Sequence, residues 1–147
     1  MQRGRRIAFD YGDVRIGVAV SDADSILSSP LTTLKSSDKA LLKSISTIFE
    51  EIDPVQIFVG KPALLSGADG SASEKAVAFA KQLAELTQAE IVMIDERMST
   101  VSAARNLREA GKNSKDSKSS IDMAAAVAIL DFGIELQKGA QWKVLDA

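Results

Sequence analysis

Three acidic residues of this 147-residue chain occupy positions where acids do chemistry. Asp10 ends the strand-like run Ile7-Ala8-Phe9, Glu96 lies just past the apolar run Ile91–Ile94, and Asp122 falls in the first turn of the last helical pattern. An acid between Phe9 and Tyr11 is costly to bury without a partner or a cation, and Asp is depleted in strands. Two carboxylates sharing a strand edge repel each other unless a divalent metal lies between them. Ligands that are all oxygen suit Mg²⁺ or Mn²⁺. One or two such ions, about 3.5–4 Å apart when paired, activate a water and stabilise the leaving oxygen in phosphodiester cleavage. Plainer readings exist for two of the three. Asp122 fits a helix N-terminal acid favoured by the macrodipole, and Asp95-Glu96-Arg97 fits a solvated turn with an ion pair. Asp10 is the hardest to explain that way.

The composition narrows the chemistry further. The chain has no His and no Cys. That excludes a disulfide scaffold, a thiol nucleophile, Ser–His machinery and the common zinc sites. Its 18 basic and 20 acidic side chains give a net charge of −2, which argues against a uniform positive field for coating nucleic acid or anionic membrane. Setting Asp10, Glu96 and Asp122 aside as metal ligands turns −2 into +1. The longest apolar run, Met123–Leu130, falls far short of the ~20 residues a membrane span needs. The basic opening is not followed by the long apolar stretch of a signal peptide. A cytoplasmic protein with no membrane partner is therefore expected.

These acids must be positioned by an alternation of strands and helices. Residues 5–21 read as a β-hairpin turning at Gly12-Asp13, with Ile16, Val18 and Val20 alternating along its second arm. Residues 26–34 read as an edge strand or a loop, because of Pro30. Leu41, Leu42, Ile45, Ile48, Phe49 and Ile52 predict a helix over about 38–52, capped by Ser37/Asp38 and stopped at Asp53-Pro54. Val55–Val59 reads as a buried strand ending at Gly60. The capping box Ser71-x-x-Glu74 opens a helix to about Thr87, and Ile91–Ile94 reads as the next buried strand. A helix over about 100–111 ends at Gly111, and 112–120 reads as a polar lysine-rich loop. The last helix is predicted from Ser120 to Gly139, with Ile121, Ala125, Ile129, Phe132 and Leu136 on one face. Residues 1–139 then form a single domain, and 140–147 a loose tail. This order implies an α/β fold, a mixed sheet flanked by helices. The strands ending at Asp10, Gly60 and Ile94 finish on one edge, the carboxyl edge where such sheets place their sites.

The motifs Phe9-Asp10-Tyr11-Gly12 and Arg15-Ile16-Gly17-Val18-Ala19-Val20-Ser21-Asp22 closely resemble the opening of the YqgF/RuvX family. The resemblance continues through Val59-Gly60-Lys61-Pro62, Asp69-Gly70, Ala78-Phe79-Ala80 and Asp95-Glu96-Arg97 with Ser99-Thr100, and closes at Ile121-Asp122 with Ala124–Leu130. It spans roughly residues 5–138. Many relatives carry Leu-Asn where this chain reads Ala63-Leu64-Leu65, and Thr-Thr where it has Ser99-Thr100. The resemblance implies an RNase H-like fold with a mixed five-stranded sheet. It also implies a metal-dependent endonuclease whose three active-site acids map onto Asp10, Glu96 and Asp122. Its substrate would be structured nucleic acid: pre-16S rRNA in ribosome biogenesis, or a Holliday junction in recombination.

Substrate binding must come from local charge. Arg3, Arg5 and Arg6 form one basic group. Residues 105–118 carry five basic side chains against two acids, and such groups grip phosphates in a salt-dependent way. Arg15, Lys61, Arg97, Lys112, Lys115 and Lys118 are the candidate nucleic-acid contacts, although Arg97 has Asp95 as an alternative partner and the three late lysines fit a solvated loop. With the phenylalanines on apolar faces, only Tyr11 and Trp142 remain for base stacking, too few for a single-strand platform. Shape and backbone recognition of a duplex or branched structure is expected instead. Two further classes stay open. Asp10-x-Gly12 on a hairpin resembles the phosphate-binding hairpin of actin-like kinases, which close two such domains around a nucleotide. A non-catalytic RNA-binding factor for ribosome maturation or transcription would use the fold without the acids. Ribosomal particles are a candidate partner, and either a monomer or a homodimer is compatible with the sequence.

Overall fold

The computed structural model describes residues 2–61, 71–96 and 115–146. Five strands make one sheet: β1 Arg6–Tyr11, β2 Arg15–Ser21, β3 Ser28–Lys35, β4 Gln56–Lys61 and β5 Glu90–Asp95. Their spatial order is β3-β2-β1-β4-β5. The first three strands are a meander of antiparallel neighbours, and β1/β4 and β4/β5 are parallel. The hairpin and the mixed sheet expected from the sequence are present, and β3 is an edge strand.

Helices α1 (Leu41–Ile52) and α2 (Ser71–Ala84) cover one face, and α3 (Lys115–Asp146) the other. Strand alternation sorts the side chains between them. Ile7, Phe9, Ile57 and Val59 meet Ile45, Phe49, Phe79 and Leu83. Ala8, Ala19, Phe58 and Ile94 meet Ala125, Ala126, Ile129, Leu130 and Ile134. Phe9 packs edge-on to Phe49 and Phe79, with ring centroids 6.1 and 5.5 Å away. Strand β1 lies at the centre of this sandwich, and its residues from Arg6 to Asp10 are all buried.

Several boundaries differ from the sequence pattern. Helix α1 begins at Leu41, because Asp38 Oδ1 accepts the Ala40 amide in a turn and no side chain caps the helix. Helix α2 ends at Ala84, before Thr87. Strand β5 is half-buried except at Ile94, since it is the second edge of the sheet. Helix α3 is longer at both ends than predicted, so residues 115–120 and 140–146, read as loop and loose tail, are helical. On α3 the buried stripe takes in Leu130 and Ile134, and Leu136 is exposed. The predicted helix over 100–111 lies outside the described residues.

The basic opening is not a free patch. Arg6 starts the central strand and is only 2% exposed. Its Nε donates to Gln56 Oε1 at 2.8 Å, its Nη1 to Ser25 Oγ at 2.8 Å and to the Gly4 carbonyl, and its Nη2 to the Gln2 carbonyl. Gln56 in turn donates to Glu90 Oε1 at 2.6 Å. Burial pushes the Arg6 guanidinium down from its ordinary pKa, and the Glu90 carboxylate partly restores it. Arg3 pairs with Asp24 in solvent, and Arg5 Nε donates to the Ser21 carbonyl. These groups tie the N-terminal arm to the amino ends of β4 and β5, opposite the carboxyl edge.

Three glycines, Gly17, Gly60 and Gly133, set how closely α3 lies on the sheet, the last of them against the Phe58 ring. A β-carbon at Gly17 would collide with the main-chain carbonyl of Asp122, and one at Gly60 with the Ile129 side chain. Main chain cannot yield as a flexible side chain can, so Gly17→Ala is expected to cost about 3 kcal/mol. Gly139→Ala, on the same helix with nothing within 4 Å, is expected to add about 0.5–1 kcal/mol. Urea unfolding of the two variants should therefore shift in opposite directions. Equal midpoints would show that the close approach at Gly17 carries no energy.

Candidate active site

The three acids come to the same face of the sheet. Asp10 is two residues beyond Ala8, which packs under α3, and its carboxylate follows on that side. In the antiparallel register Asp10 stands directly opposite Gly17. Because Gly17 has no side chain, the Asp122 backbone rests on β2 at this point. Glu96 follows β5 immediately, and its Oε1 would lie 3.3 Å from a β-carbon on Gly60, so it reaches back over the end of β4. The parallel strands β1, β4 and β5 thus end together beneath the start of the buried part of α3.

Burial separates the acids into two kinds. Asp10 and Glu96 are 6% and 3% exposed, and both are engaged with neighbouring groups. Asp122 is more open and is held by Arg15, whose Nε donates to Oδ2 at 2.7 Å. Arg15 shares a face with Gly17, so this ion pair spans from β2 up to the helix above it. Among the described residues no group of three or more acids stands close enough together to hold a metal ion. The shared edge expected from the sequence is present and the structure adds a shared face, but the Asp122 carboxylate is turned to a cation of the protein. The donor set itself fits a hard divalent ion, with two buried carboxylates and a third held on the overlying helix.

The remaining candidates divide by location. Lys61 ends β4 on the opposite face, toward α2. Lys115 and Lys118 belong to the first turns of α3. Arg97 and Lys112 lie outside the described residues, as do residues 62–70. Tyr11 stacks on Phe79 with ring centroids 4.8 Å apart, which makes it part of the core rather than a base platform. Gly17 was the site-forming residue that the sequence reading passed over as one step of an alternation. A glycine inside a strand signals a close backbone approach, and that signal was available. A cleft of about 580 Å³ lies between the ends of α1 and α2, lined by Glu50, Asp53 and Glu85 at the far edge of the sheet. None of the three acids lines it.

A mixed sheet of this order, with helices on both faces and acids at the carboxyl edge, defines an RNase H-like protein. The same fold is seen in Thermus thermophilus RuvC in complex with a Holliday junction substrate, with a TM-score of 0.58 at 12% identity, covering 92% of this chain and 96% of that one. A second structure of Thermus thermophilus RuvC gives 0.54 at 14% identity. The chain belongs to the RuvX family, whose model, described as "Holliday junction resolvase", matches residues 4–135. A relative from Streptomyces avermitilis named "Putative pre-16S rRNA nuclease" is 42% identical over 94% of this chain and 90% of its own length. One of the same name from Rhodococcus erythropolis is 46% identical over 87% of this chain and 76% of its own.

The Arg15–Asp122 pair is expected to be energetically coupled. Its side chains are 27% and 18% exposed, so solvent screens it only in part. A double-mutant cycle of Arg15→Ala and Asp122→Ala, read by urea unfolding, should give a coupling of about 1 kcal/mol. Purely additive single effects would show that the contact does not hold Asp122.

Proposed function

We propose that this protein is a cytoplasmic, divalent-metal-dependent endonuclease that hydrolyses phosphodiesters of structured nucleic acid, with pre-16S rRNA as its substrate. The observation that carries the reading is the pair of buried carboxylates, Asp10 and Glu96, at the carboxyl edge of an RNase H-like sheet. Burying two acids on one face is unfavourable for a plain phosphate binder and useful for holding Mg²⁺ or Mn²⁺. The relatives named for pre-16S rRNA cleavage support the choice of RNA. No described helix is long and apolar enough to cross a membrane.

Asp10 and Glu96 would hold the metal, with Asp122 joining from α3. The ion, when bound, supplies the positive charge that neutralises the phosphate and activates a water. The chain's own residues do the positioning. Strand β1 holds Asp10 at the buried centre of the sheet, and Gly60 leaves room for the Glu96 side chain. Arg15 restrains the Asp122 carboxylate and keeps a positive charge beside it when the site is empty. With no His in the chain, proton transfer falls to carboxylates, lysines or water.

Asp10→Asn should lower metal-dependent cleavage of a pre-16S rRNA fragment about a thousandfold, the scale of several kcal/mol of lost charge stabilisation. Mn²⁺ should raise the Tm of the native protein and leave that of Asp10→Asn unchanged, by ligand linkage. A four-way DNA junction assayed in parallel tests the substrate assignment. Preferential cleavage of the junction would transfer the function to recombination, and full activity of Asp10→Asn would remove the acid from the site.

A further inference from the structure

The carboxyl edge has a second face. Opposite the acids, between β4 and α2, lies a cavity of about 360 Å³ lined by Lys61, Ser73, Glu74, Val77, Ala78 and Lys81. The α2 residues fall on one stripe, with Ser73, Val77 and Lys81 four residues apart. Ser73 is buried at the base of this stripe, and Ser73 and Glu74 belong to the first turn of α2, where amide groups lack intrahelical acceptors. Neither Lys61 nor Lys81 forms an ion pair among the described residues, while Lys75 of the same helix is paired with Asp13 at 3.0 Å. Asp95, opposite Lys61 in the β4/β5 register, has a partner of its own. Two lysines, neither in an ion pair among the described residues, line one concave site with a single carboxylate. That arrangement favours an anion.

The position of the cavity says which anion. Lys61 follows Gly60 directly, and Gly60 is the residue over which Glu96 lies. Because successive side chains of a strand point to opposite faces, Lys61 faces α2 while the acids face α3. A nucleic-acid strand crossing the carboxyl edge would meet the acids on one side and Lys61 on the other, and along α2 from its first turn it would reach Lys81. We infer that Lys61 and Lys81 form a backbone-phosphate subsite, gripping a non-scissile phosphodiester of the nucleic acid that lies across the edge. The inference rests on the nuclease reading of the acids. Its specificity is for phosphate geometry and charge, so it contributes affinity and register rather than base sequence.

The test is binding without cleavage. Fluorescence anisotropy of the full chain with a labelled 30-base-pair RNA duplex, in EDTA and across a salt series, reads both Kd and the slope of log K against log salt. Lys61→Gln and Lys81→Gln should each weaken binding several-fold and reduce the slope by about 1. The double variant should lose about 2, and Lys61→Arg and Lys81→Arg should retain the native slope. Glu74→Gln should tighten binding, a reversal of sign that no general loss of structure would produce. An unchanged Kd and slope in the double variant, with the native protein binding and cleaving, would overturn the subsite alone. A native protein that neither binds the duplex nor cleaves would overturn the nuclease reading beneath it.

Discussion

The arrangement depends on a backbone-to-backbone contact. Helix α3 reaches the sheet at Gly17, where the absence of a β-carbon lets the Asp122 carbonyl lie against β2. Gly17 is the register partner of Asp10, so this contact puts the last of the three acids above the strand beside the first. The depth of the helix also decides what else fits. Small residues, Ala8 and Ala19 on the sheet and Ala125 and Ala126 on the helix, keep the layer thin near the site. Phe58 and Ile134 thicken it farther along the helix. A larger residue at position 17 would lift the helix and separate Asp122 from Arg15 as well.

Much of this was legible from the residues, and what was not has physical causes. The hairpin declared itself through β-branched alternation, and Pro30 placed β3 on an edge. Asp10 stands out because an acid is costly within a strand, Glu96 and Asp122 by their places at a strand end and a helix start, and the structure brings the three to one face. Strand β5 was read as buried because Ile91–Ile94 is uniformly apolar, but burial depends on sheet order, and no pattern within a strand reveals which neighbour it lacks. The segment 115–120 was read as a loop from its serines and lysines, yet helix extent is settled by the continuing turns of α3 more than by propensity. Arg15 is a candidate phosphate contact by sequence, and in the structure it also holds Asp122. Its partner lies 107 residues away, beyond any local signal. Arg6 shows the same limit: three arginines within residues 3–6 look like a surface patch until the central strand buries one of them.

The two edges of the sheet carry opposite demands. At the amino edge a buried guanidinium is fully occupied by Gln56, Ser25 and the carbonyls of Gly4 and Gln2, so its charge is used internally. At the carboxyl edge the charges are sorted by face, acids under α3 and Lys61 against α2. Strand β1 runs between these ends with every residue from Arg6 to Asp10 buried, so the carboxylate at one end is braced by the network at the other. A buried polar network that is fully satisfied rigidifies its surroundings, which suits a strand that must hold a carboxylate in a fixed place.

The long span of the Arg15–Asp122 contact has a consequence for how the protein is made. The hairpin bearing Asp10 and Arg15 leaves the ribosome early and can pair at once, since its contacts are local. Helix α3 follows the five strands in the chain, and until it docks the face carrying Asp10 and Ala8 lies open. The nascent chain therefore passes through a stage in which its acidic edge is incomplete and its second core is solvent-facing. Only arrival of the final helix closes both together. Because Arg15 and Asp122 lie 107 residues apart, the site cannot be assembled until α3 has folded back on the hairpin.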